Sequence, residues 1–137
     1  MVKQPVVQLD RYGCGVACVA FIVDVLYHEA KTLFDAEKVD SSRTYCFDIT
    51  RALRAKGILY KYSKLTDENI GLMNNNDVIV FVRKNKAVYP SGHYLVHYNG
   101  RWMDPWSNRI ISDDIKKAKS NFTNILQDVP TWVIYPV

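Results

Sequence analysis

The chain is poor in the features that announce several protein classes. It holds only three cysteines, Cys14, Cys18 and Cys46, and an odd number without regular spacing describes no disulfide framework, so free thiols in a reducing compartment are expected. Its six glycines and five prolines are too few and too scattered for a linker or low-complexity segment. No apolar run approaches the ~20 residues that span a bilayer. Residues 1–10 lack the basic stretch and apolar core of a secretory signal, so a cytoplasmic location is expected, with export by a signal-less route as the other possibility. Dense blocks of charge are missing too: 18 Lys and Arg against 14 Asp and Glu give a formal charge of +4, spread along the chain. Nucleic acid is therefore not the expected partner. Lys116-Lys117-Ala118-Lys119 reads as the solvated face of a helix, because no aromatic-interleaved or Gly-rich motif accompanies it.

What remains is an ordinary globular composition. The chain has 137 residues, of which 48% are hydrophobic, enough for one domain (1–137), one core and one site. Residues up to about Tyr12, with Pro5 and the β-branched Val6-Val7, read as an extended arm or edge strand. From Cys14 to about Ala30 the apolar residues leave so little polar surface that a central, buried helix is expected. Asp40-Ser41-Ser42 reads as a turn or helix start. A second helix runs from Phe47 to Lys56, where a basic last turn and Gly57 stop it. Ile58 to Ser63 alternates as a short strand, and Leu65 to Asn69 reads as a capped helical turn ending at Asn74-Asn75-Asn76.

Three strands follow: Asp77 to Arg83, His93 to Tyr98, and Arg101 to Asp104. The last two are joined by Asn99-Gly100, a strong type I′ hairpin signal that forces antiparallel pairing and sets Tyr98 opposite Arg101. Lys84 to Gly92 reads as a wall or flap of a cleft. Ser112-Asp113-Asp114 caps an expected basic helix to about Asn121, and Thr131 to Tyr135 is a closing strand.

The chemistry concentrates at one point. Cys14 stands between Gly13 and Gly15 at the first turn of the apolar helix, where unpaired N–H groups and the helix dipole favour an anion and drive a thiol toward thiolate. A nucleophile needs a base, and His93 opens a strand late in the chain. Asp104, on the strand that the hairpin lays beside it, can orient that base; Asp104-Pro105 also has a plain reading as a turn. His97 is the rival base, but it lies toward the hairpin turn. Gln8 can donate a side-chain amide hydrogen to an oxyanion. Cys18, one helical turn after Cys14, reads as a small core residue: a Cys pair at that spacing could ligate metal, but no further Cys or His stands nearby in sequence to complete the site. Cys46 reads as packing and His28 as a surface residue. No cofactor or metal is expected.

Gln8, Cys14-Gly15 with the apolar helix behind them, His93-Tyr94-Leu95-Val96 and Asp104-Pro105 resemble, in order and separation, the papain-like cysteine peptidases. The likeness is greatest to the C39-type domain, the bacteriocin-processing module that cleaves leader peptides after paired glycines. The resemblance implies an α+β, papain-like fold with the N-terminal catalytic helix packed against an antiparallel β-sheet. It also implies a Cys-His-Asp triad with a Gln oxyanion donor, acting on a peptide or isopeptide bond of a peptide or protein substrate. The family's Asp immediately before the cysteine is Gly13 here, with Asp10 the nearest acid. The same residues serve deamidases and transglutaminase-like acyltransferases, and a papain-fold module that binds without catalysis is the third alternative.

Overall fold

The computed structural model describes residues 3–41, 44–83 and 92–137. Four α-helices, α1 (Cys14–Val23), α2 (Tyr27–Lys31), α3 (Ala36–Ser41) and α4 (Cys46–Ala55), lie in the first half of the chain. Six strands follow: β1 (Tyr60–Lys64), β2 (Val78–Val82), β3 (His93–Tyr98), β4 (Arg101–Asp104), β5 (Asn121–Thr123) and β6 (Pro130–Pro136). They form one antiparallel sheet in the order β1-β6-β2-β3-β4-β5. This is the expected α+β architecture, with the Cys14 helix packed on the sheet through β3.

The helices form where the apolar pattern demands cover. Val16 to Phe21 of α1 are all at most 2% exposed and meet Ile79, Tyr94, Val96, Met103 and Ile134 from the sheet. On α4 the buried residues Ile49, Ala52 and Leu53 fall on one face. Its start is fixed by Asp48, whose Oδ2 accepts the Tyr45 N–H at 2.7 Å, and its end by Gly57 at φ 81°. The opposite face of the sheet carries a smaller apolar layer of Val80, Val82, Leu95 and Trp102, covered by Met73 and Leu126.

The hairpin forms as read from Asn99-Gly100: both residues have positive φ, 50° and 75°, and Tyr98 pairs with Arg101, His97 with Trp102 and Val96 with Met103. A register set by a two-residue turn leaves no freedom to slip without turning every side chain to the other face.

Three expectations differ from the structure. The first helix stops at Val23, because Asp24 adopts the left-handed conformation (φ 59°, ψ 50°) and turns its N–H back to the Ala20 carbonyl; α2 then starts afresh, and Leu26 between them is 71% exposed. Asp40 and Ser41 end α3 instead of starting a helix. The basic helix beyond Asp114 is a single 3₁₀ turn, Ile115–Lys117. Asn108 holds the chain there, accepting the Lys119 N–H (2.8 Å) and donating to the Lys117 carbonyl (3.0 Å), and Asn121 is already paired with Asp104. Of the two readings of the lead-in, extended arm or edge strand, the structure shows the arm: residues 3–8 pair with no strand, and Lys3 ties them across α1 through the Phe21 and Ile22 carbonyls. The flap expected at Lys84 to Gly92 lies, apart from Gly92, outside the described residues. Among the described residues no helix is long and apolar enough to cross a membrane.

Candidate active site

Cys14 opens α1 with its first-turn N–H groups free of any side-chain cap and with no acidic residue in that turn. The positive end of a ten-residue helix is thus left to whatever anion the Cys14 position presents. β3 begins at His93, opposite Val82, and β4 ends at Asp104. His93 Nε2 and Asp104 Oδ1 are 2.6 Å apart. Both side chains are buried, 4% and 3% exposed. A second donor, the Trp106 N–H, reaches the same carboxylate oxygen at 3.0 Å. The Cys14 side chain lies near enough to the His93 ring to help raise its pKa. The structure therefore pairs His93 with Asp104 and sets the Cys14 side chain near the same ring.

Electrostatics within this set favour a protonated imidazole. Burial alone pushes the His93 pKa down, but the Asp104 charge, its hydrogen bond and the Cys14 side chain outweigh burial and lift it from 6.5 to about 10. The other two thiols are held in the neutral form. Burial, with the charges of Cys14 and Asp104, pushes Cys18 well up, and burial lifts Cys46 to about 11 against the hydrogen bond from Tyr94. His97 is differently engaged: Nδ1 is 3.0 Å from the Asn75 carbonyl and the ring packs edge-on to Trp102.

Gln8 sits between the two halves of the site. Its main-chain N–H donates to the Pro105 carbonyl at 3.1 Å, next to Asp104, and its side-chain Nε2 donates to the carbonyls of Asp10 (3.0 Å) and Arg11 (3.2 Å). Both amide hydrogens are thus engaged by the turn that delivers Cys14, while Oε1 is buried without a hydrogen-bond partner among the described residues.

The turn itself explains the glycine before Cys14. A Cβ on Gly13 would lie 2.0 Å from the Tyr27 hydroxyl, which donates to Asp10 Oδ2 at 2.7 Å. Asp10 is also paired with Lys31 at 3.2 Å. Burial and the Asp10 hydrogen bond keep Tyr27 protonated far above its usual range. Tyr27 therefore occupies the place a side chain at position 13 would need. Sequence reasoning missed Tyr27, which it absorbed into one long helix, and Trp106, whose only signal is its place two residues after Asp104.

The thiol faces a small recess of about 20 Å³ whose walls include Arg11, Tyr12, Phe81 and Tyr94. That is room for about one water-sized group. Gly92, just before the base, has φ 78° and passes so close to Phe81 that a Cβ would lie 2.1 Å from the ring. Thr44, Phe81 and Tyr94 continue from the recess into a groove of about 320 Å³ lined by Tyr45, Phe47, Tyr62 and Trp132. Arg11, on the rim, is braced by Asp113 at 2.7 Å. Among the described residues no group of three His, Cys, Asp or Glu is placed to hold a metal ion.

No family model and no curated protein matches the chain. Solved structures do. The peptidase domain of Streptococcus ComA, a bi-functional ABC transporter involved in a quorum-sensing pathway, aligns over 98% of this chain and 97% of its own, with a TM-score of 0.54 and 21% identity. A double glycine motif protease from an AMS/PCAT transporter, solved in complex with the leader peptide, aligns over 99% and 93%, with a TM-score of 0.60 and 13% identity. At these identities the likeness is one of fold: this chain folds as those peptidase domains do.

Proposed function

We propose that the protein is a papain-like cysteine peptidase, of the kind that processes leader peptides, and that residues 1–137 form its single catalytic domain. The observation that carries the proposal is the buried His93–Asp104 pair at 2.6 Å, with the Cys14 side chain near enough to raise the pKa of the same ring. A base held in one tautomer by a carboxylate and set beside a thiol is the arrangement that nucleophilic acyl transfer needs.

In this mechanism His93 draws the proton from Cys14 at the uncapped helix start. The thiolate attacks the scissile carbonyl carbon and its oxygen becomes an oxyanion, which the Cys14 main-chain N–H holds. Gln8 joins as second donor once its amide exchanges the Asp10 or Arg11 carbonyl for the oxyanion. His93 gives its proton to the leaving amine, Asp104 keeps the ring oriented, and water then releases the acyl group with His93 as base. The small recess fits substrate residues with little or no side chain beside the scissile bond, in line with the double glycine motif named for one structural neighbour. The aromatic groove fits an apolar stretch of the same peptide.

The test is cleavage of peptides that carry an internal Gly-Gly preceded by an apolar segment, read by mass spectrometry. Cleavage after the second glycine that is abolished by Cys14→Ala supports the proposal. Intact peptides together with release of ammonia from glutamine-containing proteins would move the assignment to a deamidase.

A further inference from the structure

Thr44 precedes α4 and is 1% exposed, yet its Oγ1 is buried with no hydrogen-bond partner among the described residues. The residue is fixed by other means, since its carbonyl accepts the Tyr94 hydroxyl at 3.1 Å. The hydroxyl lies against the start of α1: a Cβ on Gly15 would be 2.6 Å from Oγ1, so any larger residue beside the cysteine would displace it. Thr44 also lines both the recess at Cys14 and the aromatic groove that leads away from it. A buried hydroxyl without a partner costs stability, whereas an isosteric methyl at the same place would not. A site that keeps such a group needs a reason, and the residue that carries it lines both recess and groove.

We propose that Thr44 is a substrate-binding residue: its hydroxyl pairs with a main-chain amide group of the peptide as it passes from the aromatic groove to Cys14. A hydroxyl can donate to a carbonyl and accept from an N–H, so it suits either amide group. Because it reads main chain, it supports binding of any sequence small enough to enter the recess, and it acts on positioning without touching the Cys14–His93 pair. The proposal rests on the peptidase reading above.

Three measurements on the intact protein, on Thr44→Val and on Thr44→Ser test it. The probe is acetyl-Leu-Gly-Gly-aldehyde, which adds reversibly to a thiolate and is scored by protection of Cys14 from iodoacetamide. Thr44→Val should bind the aldehyde about tenfold more weakly, the loss of one hydrogen bond of ordinary strength. Its thermal midpoint should stay level or rise, and its alkylation rate without aldehyde should stay within about twofold, since the thiol chemistry is left alone. Thr44→Ser should restore most of the affinity. Equal aldehyde affinity in the wild-type protein and Thr44→Val overturns this inference and leaves the peptidase reading standing. A Thr44→Val protein that melts lower and alkylates more slowly makes the hydroxyl structural and also overturns it. Failure of the aldehyde to protect Cys14 in the wild-type protein overturns both.

Discussion

At the scale of single residues the account turns on which side chain holds a proton at rest. The raised pKa of His93, about 10, comes from Asp104 and Cys14 acting against burial. A base whose folded value lies above its unfolded value of about 6.5 contributes stability that is complete below about pH 6.5 and is lost as pH rises through about 10. Urea midpoints measured from pH 6 to 10 should therefore fall along this limb, and Asp104→Asn should flatten the fall. The same variant should bring the alkaline limb of kcat/KM down by about one to three pH units, the range a close opposite charge supplies. An alkaline limb unmoved by Asp104→Asn would remove Asp104 from the site.

Two further residue substitutions separate roles. His93→Ala should abolish turnover, while His97→Ala, whose ring is engaged by Asn75 and Trp102, should keep it within about threefold, as a change outside the reacting groups does. Turnover that survives His93→Ala but not His97→Ala would reverse the assignment. Gln8→Ala should lower turnover by about 100-fold if it donates to the oxyanion. Because its amide also ties the Asp10 and Arg11 carbonyls, the variant should lose stability too, by about 1–3 kcal/mol for buried groups left unpaired; a Gln8→Ala protein of normal stability and normal turnover would contradict both roles.

At the scale of elements, the turn into α1 is a packed unit whose parts specify one another. Gly13→Ala places a methyl group 2.0 Å from the Tyr27 hydroxyl, so it should destabilise by about 1–3 kcal/mol in urea denaturation, the cost of overpacking a filled site. Removing the hydroxyl with Tyr27→Phe should make the two substitutions non-additive, because they act on one contact. Strict additivity in that double-mutant cycle would place the clash elsewhere.

This unit marks where the sequence is legible and where it is not. Cys14 as the opening residue of a helix is readable from Gly13-Cys14-Gly15 and the apolar run behind it, because local chemistry alone decides it. The break at Asp24 is not readable from that run, since Val25 and Leu26 continue the apolar pattern and only a left-handed residue stops the helix. Likewise Asn99-Gly100 dictates a turn and therefore a register, which carries Asp104 to within reach of His93. Ser112-Asp113-Asp114 offers a cap without dictating a helix, and pairing of Asn121 with Asp104 in the sheet takes that segment instead.

At the scale of the molecule, the proposed site draws on distant segments: the arm at Gln8, the helix start at Cys14, the strand start at His93 and the strand end at Asp104. The closing strand is the clearest case of what sequence order hides. β6 is last in the chain but lies between β1 and β2, and its neighbours are set by long-range burial of Val133 and Ile134 rather than by any local signal. Thr44 carries no local signal for the same reason, because its significance comes only from Gly15 and the groove that the fold lays against it.

The central claim is that Cys14 alone among the three thiols is poised by His93 to react. Cys18 is fully buried and Cys46 is held near 11, so neither offers a thiolate at neutral pH. The direct measurement is alkylation of the folded protein with iodoacetamide at pH 6 to 8, with the labelled residue located by peptide mass spectrometry. The account predicts label on Cys14 alone, incorporated faster than by free cysteine at pH 6 and slowed by His93→Ala. Label arriving first on Cys46 or Cys18, or Cys14 reacting at the same rate with and without the His93 imidazole, would contradict it.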